Sequence, residues 1–104
     1  MNANRHGLTE QTIEKISGVL ALHPQVEKAI LFGSRAKGNF KKGSDIDLTL
    51  TGAGLAYADL LKLTGELDDL LLPYTIDLSL FHQLKHQALV EHIQRVGIPI
   101  YPVE

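Results

Sequence analysis

The 104-residue sequence contains no cysteine and no tryptophan, and only one methionine, three phenylalanines and three tyrosines. Without cysteine there is no disulfide, no thiolate nucleophile and no cysteine-ligated zinc site. The scattered Tyr57, Tyr74 and Tyr101 make no base-stacking platform. No apolar run approaches the roughly 18 residues that span a bilayer, and the opening MNANRHGLTE is polar rather than an export signal. A cytoplasmic location is therefore expected. A surplus of one charge is missing too: ten Lys and Arg against twelve Asp and Glu give a formal net charge of −2. Bulk attraction to nucleic acid is not expected from that balance.

With 44% hydrophobic and 21% charged residues, the composition is that of a packed globular chain. The length suits a single domain over residues 1–104, and no repeat or linker divides it. Thr9 can cap a helix carrying Ile13, Ile16, Val19 and Leu20 inward, ended by His23-Pro24. Val26 to Phe32 reads as a strand, and Gly33 to Gly43 as a basic loop with room for one helical turn. Asp45 to Thr51 alternates, with Asp45, Asp47 and Thr49 on one face and Ile46, Leu48 and Leu50 on the other. A leucine-rich helix follows to Pro73, with some apolar surface to spare for a dimer or partner contact. Tyr74 to Leu80 repeats the alternation with Thr75, Asp77 and Ser79 on its polar face. A last helix would bury Leu84, Ala88, Leu89, Ile93 and Val96, with Gly97 as its left-handed cap and Ile98 to Tyr101 as an edge segment. This order predicts an α/β (α+β) domain, a small mixed β-sheet with helices packed on one face.

The polar strand faces carry the chemistry. Asp45 and Asp47 lie two residues apart on a strand, so their carboxylates share a side about 6.5–7 Å apart and repel unless a cation lies between them. Hard oxygen ligands in this number suit Mg²⁺ completed by phosphate and water. Asp77, in the same phase on another strand, can complete a three-carboxylate face for two ions clamping an in-line displacement at phosphorus. Just upstream, Gly33 permits close backbone approach, and a helical turn beginning at Ser34 would present free N–H groups to an anion. Arg35, Lys37, Lys41 and Lys42 could offset its charge. Each piece alone has an ordinary explanation as a turn, a solvated strand or a solubilising loop; their conjunction does not. His82 and His86 have zinc-compatible spacing but no third ligand beside them, and His6, His23 and His92 carry no pattern.

Gly33-Ser34-Arg35-Ala36-Lys37-Gly38 followed by Ser44-Asp45-Ile46-Asp47-Leu48 resembles the signature of the DNA polymerase β-type nucleotidyltransferase superfamily, and the short chain resembles its minimal nucleotidyltransferases (MNT). Lys37 stands where many members have Arg, which keeps the charge but loses the bidentate fork. The resemblance implies a polymerase β-like palm fold. It also implies that Gly33 and Ser34, with Arg35, Lys37 and Ser44, bind a nucleoside triphosphate. Asp45, Asp47 and Asp77 would be catalytic and hold Mg²⁺, with Mn²⁺ possible in its place. The implied reaction is attack of a hydroxyl on the α-phosphorus of ATP or another NTP, releasing pyrophosphate. Minimal members commonly pair with a HEPN-domain protein, so the implied acceptor is a tyrosine of such a toxin, with this chain as antitoxin. Superfamily members acting on drugs or RNA generally add an acceptor domain, which also points to a partner here. The alternatives are a non-catalytic nucleotide- or partner-binding module, and an enzyme nucleotidylating a small molecule such as an aminoglycoside.

Overall fold

The computed structural model describes residues 6–102. Thr9 caps the first helix, α1 (Glu10–Leu20), by accepting from the Thr12 N–H at 3.1 Å. Strand β1 (Lys28–Phe32) leads into a one-turn helix, α2 (Ser34–Lys37), and after a basic loop comes β2 (Ile46–Thr51). Helix α3 (Tyr57–Asp68) connects β2 to β3 (Ile76–Leu80). A 3₁₀ turn (Phe81–Gln83), helix α4 (Gln87–Val96) and strand β4 (Ile98–Tyr101) complete the chain.

The four strands lie in the order β3-β2-β1-β4. β2 and β3 are parallel, as a helical crossover demands, and β1 runs antiparallel to both β2 and β4, so the sheet is mixed. Pro99 sits in an edge strand, where its missing N–H costs no central ladder bond. Ala29, Leu31, Ile46, Leu48, Leu50 and Leu80 form one sheet face and join Ile13, Ile16 and Leu20 of α1 and Leu63 and Leu67 of α3 in the core. At about 25 cal/mol per Å² of apolar area, this packing is the main favourable term holding the two layers together. The spare apolar surface of α3 is real: Tyr57 and Leu61 stay exposed.

Two expectations need correction. The last helix does not join α1 and α3 on their face. It lies against the opposite face of β1, where a Cβ at Gly97 would come within 2.6 Å of Ile30 Cγ2 and the His92 ring meets Phe32. Ile93 is the residue of α4 that is buried, whereas Ala88 is exposed and Leu84 precedes the helix. Gly97 ends the helix with φ −61°, so closeness to Ile93 and Ile30, rather than a left-handed cap, is what requires glycine there. The polar strand face is also not uniformly open. Thr49 is fully buried, its hydroxyl 3.5 Å from the Ser79 carbonyl oxygen, so the face is covered at that end and accessible at the end bearing the aspartates. Period-two polarity reports which side a residue faces, and a helix from elsewhere in the chain decides whether that side meets water.

Candidate active site

Three strand ends meet at one edge of the molecule. β1 and β2 pair Phe32 with Asp47, so the chain leaving β1 at Gly33 passes directly beside Asp47. β2 and β3 pair Asp47 with Asp77, placing the two side chains on the same face of neighbouring strands about 4.8 Å apart. Asp45 lies one residue before β2 and in phase with Asp47. Asp45 and Asp77 are exposed and Asp47 is half-buried.

Gly33 adopts φ 78° and ψ −152°, a backbone that L side chains rarely take, and its Cβ position is already filled by the Asp47 carboxylate. This residue is glycine on both counts. The turn swings directly into α2, where the amides at the start of the helix have no intrahelical acceptor. Ser34 opens the helix beside that turn, half-buried, and Lys37 is exposed at its far end. The Gly33 N–H is itself engaged, donating to His92 Nε2 at 3.1 Å.

Burial pushes the Asp47 carboxyl above its ordinary value, and the neighbouring charges of Asp77 and then Asp45 push it further; His92 offsets part of this. A carboxylate destabilised by burial and by two like charges is one that a cation would stabilise. The donor set, three hard oxygen ligands, fits Mg²⁺ or Mn²⁺ chemically. Among the described residues no three His, Asp or Glu side chains converge as a ready-made metal cluster, and the same holds for the histidines of the last helix. His86 instead caps α4, its Nδ1 accepting from the Leu89 N–H at 3.3 Å, and His82 is exposed.

Arg35 departs from the expectation that it contacts nucleotide. Its side chain is 2% exposed and turned away into the loop. Nε and Nη2 donate to the Ser44 carbonyl oxygen at 3.2 and 2.8 Å, and Nη1 donates to the His6 carbonyl oxygen at 2.9 Å. The guanidinium lies between the rings of Phe40 and Tyr74, 5.1 and 4.8 Å from their centroids. These bonds tie the two ends of the basic loop together and leave the charge facing aromatic rings. Ser44 likewise serves the loop, its Oγ accepting from the Lys41 N–H at 2.8 Å. The signature thus divides into residues gathered at the strand end (Gly33 and Ser34 beside Asp45 and Asp47) and residues that hold the intervening loop in shape (Arg35, Ser44). His92 is the site neighbour that sequence reading passed over. Its only signal is a position beside the buried Ile93 on α4, which shows nothing until α4 is placed on the aspartate face.

The family model for Polymerase beta, Nucleotidyltransferase matches residues 14–103. The chain belongs to this nucleotidyltransferase family. Its fold is shared with a chain of a toxin–antitoxin complex crystallised with AMP-PNP, at a TM-score of 0.71 and 23% identity over 88% of this chain and 74% of that one. A chain of the MntA–HepT toxin–antitoxin complex superposes at a TM-score of 0.68, with 21% identity, 89% of this chain and 72% of that one covered. The complex of a tri-AMPylated Shewanella oneidensis HEPN toxin with its MNT antitoxin gives a TM-score of 0.67 at 21% identity, covering 88% and 71%. No curated protein matches the sequence. Among the described residues of this nucleotidyltransferase, no helix is long and apolar enough to cross a membrane.

Proposed function

We propose that this chain is a minimal nucleotidyltransferase that transfers a nucleotide, AMP from ATP, to a hydroxyl of a HEPN-domain partner, and so acts as the antitoxin of the pair. The observation that carries the reading is the packing of the Asp47 carboxylate against Gly33 with Asp77 in register beside it. That juxtaposition brings a backbone suited to polyphosphate and a set of acids to one strand end. The fold likeness to complexes that include an AMPylated HEPN toxin supports the choice of nucleotide and acceptor.

In this reading the Gly33–Ser34 backbone and the Ser34 hydroxyl hold the triphosphate, with Lys37 offsetting its charge from the exposed end of α2. Asp45, Asp47 and Asp77 would hold Mg²⁺, and a divalent ion there supplies charge neutralisation on the phosphates and on the attacking oxygen. Asp45 and Asp77 are exposed and can rotate inward without disturbing the core. The acceptor oxygen forms a bond to the α-phosphorus while the α–β bridging P–O bond breaks and pyrophosphate leaves. The acceptor's proton passes to the Asp77 carboxylate, the most accessible of the acids on the sheet.

The test is incubation with α-labelled ATP, Mg²⁺ and a HEPN-domain protein, followed by mass analysis of the partner. Label on a partner tyrosine, lost in Asp45→Asn and Asp77→Asn, is the expected result. A partner neutralised equally well by those folded variants, with no label, would replace the enzyme with a binding module. Label entering an aminoglycoside at comparable rates would replace the protein acceptor.

A further inference from the structure

We propose that His92 is the positioning residue of the Gly33–Ser34 turn, an inference that rests on the phosphate-binding role given to that turn above. Glycine has no intrinsic preference that would hold φ at 78°, so the direction in which the Ser34 amide and hydroxyl point must be fixed from outside. Beyond the last β1–β2 pair at Phe32 and Asp47, the Gly33 N–H has no ladder partner. Its acceptor is His92 Nε2, 3.1 Å away and 59 residues along the chain.

The imidazole is itself held. Its ring stands edge-on to Phe32, with centroids 6.2 Å apart and planes at 78°. Helix α4 is brought down on β1 by Gly97, where any side chain would strike Ile30. A neutral imidazole that accepts at Nε2 carries its proton on Nδ1. The chain of support runs from Gly97 on Ile30, through α4, to His92 and the Gly33 amide. In this way α4, packed on the side of β1 that bears Ile30 and Phe32, sets the backbone on which the triphosphate would rest. His92 touches neither phosphate nor acceptor in this account; it acts through Gly33.

Gln and Asn separate this role from simple packing. A Gln carbonyl oxygen at position 92 reaches the place of Nε2, whereas an Asn oxygen reaches only the place of Nδ1. Calorimetric titration of the full chain with ATP in MgCl₂ should show His92→Ala and His92→Asn weakening affinity about tenfold, with His92→Gln recovering to within about threefold of wild type. In transfer assays the same variants should raise KM for ATP and leave kcat nearly unchanged. Independently of activity, the Gly33 amide resonance should move upfield and exchange faster in His92→Ala and His92→Asn than in His92→Gln. An unmoved Gly33 resonance in His92→Ala overturns the anchor whatever ATP does. A moved resonance with unaltered ATP affinity, or Gln behaving as Asn, overturns its positioning role. A wild-type protein that binds no ATP while Gly33 still responds to His92→Ala sinks the nucleotide reading and not the anchor.

Discussion

The Asp47 carboxylate of β2 occupies the space that a side chain at Gly33 would need. The contact joins two halves of a signature separated by the basic segment of residues 39–43, and it follows from the antiparallel pairing of Phe32 with Asp47. A turn that must lie flat on a carboxylate admits no Cβ. The same residue must also hold φ 78°, so sterics and backbone conformation select glycine together.

Gly33→Ala should therefore act twice. Forcing a Cβ into that backbone and against Asp47 is expected to cost about 1–3 kcal/mol of stability. For a domain of this size that lowers Tm by roughly 4–8 °C per kcal/mol. Nucleotidyl transfer should fall by about 100-fold, because relieving the overlap moves the turn and Asp47 apart by about 1 Å, which is enough for such losses. Thermal melts with a transfer assay check both. A variant with wild-type Tm and activity would mean that neither the contact nor the conformation matters.

Arg35 is expected to matter for folding before it matters for nucleotide. Arg35→Met keeps the buried stem but strips three donors from the Ser44 and His6 carbonyls, and should destabilise by about 2–4 kcal/mol. Arg35→Lys keeps the charge, cannot donate two bonds to one carbonyl, and should recover less than half of that loss. ATP affinity, measured below the melting transition, should change less than threefold. A large affinity loss in a fully folded Arg35→Lys would return the guanidinium to the phosphates.

How much of this was legible beforehand depended on the kind of pattern. Leu48 and Leu50, alternating with Asp47 and Thr49, gave away the strand and its core face because side-chain period is a local property. Gly33, Ser34, Asp45 and Asp47 were legible as a set, since the two ends of the loop are close in sequence. Arg35 was misread because its charge says nothing about direction: the Phe40 and Tyr74 rings that receive it lie five and 39 positions away. The role of His92 follows from α4 crossing to the aspartate face, a tertiary choice that no window of sequence around that residue contains.

Asp77 stands in register with Asp47 but is exposed on an edge strand. Asp77→Asn should thus leave Tm within about 2 °C of wild type, as for a surface substitution. The same change should reduce transfer by 100-fold or more, of the order lost when a preorganised charged group is removed from a reacting centre. Pyrophosphate release in the presence of the acceptor is the measurement, with ATP titration alongside. Loss of ATP affinity without loss of turnover at saturating ATP would assign Asp77 to binding rather than to the acceptor's proton.

Asp47 contributes a pH dependence to stability in the absence of metal. Burial first, then Asp77 and Asp45, raise its carboxyl above 3.8, with His92 opposing. Between 3.8 and that higher folded-state value the folded chain retains a proton that the unfolded chain has released. The folded state then binds more protons, so this group's contribution to stability falls as pH rises through that window, and the cost persists at neutral pH. Asp47→Asn removes the cost, so in EDTA at pH 7 it should melt no lower than wild type while its transfer activity is abolished. Below pH 3.8, where wild-type Asp47 is protonated in both states, the two melts should converge. MgCl₂ should raise the Tm of wild type at pH 7 and leave Asp47→Asn almost unmoved, because binding to the folded state alone stabilises by mass action; EDTA should reverse the gain and stop transfer. An Asp47→Asn variant that melts several degrees below wild type in EDTA at pH 7 would mean that the carboxylate is held by favourable contacts and is not under repulsion.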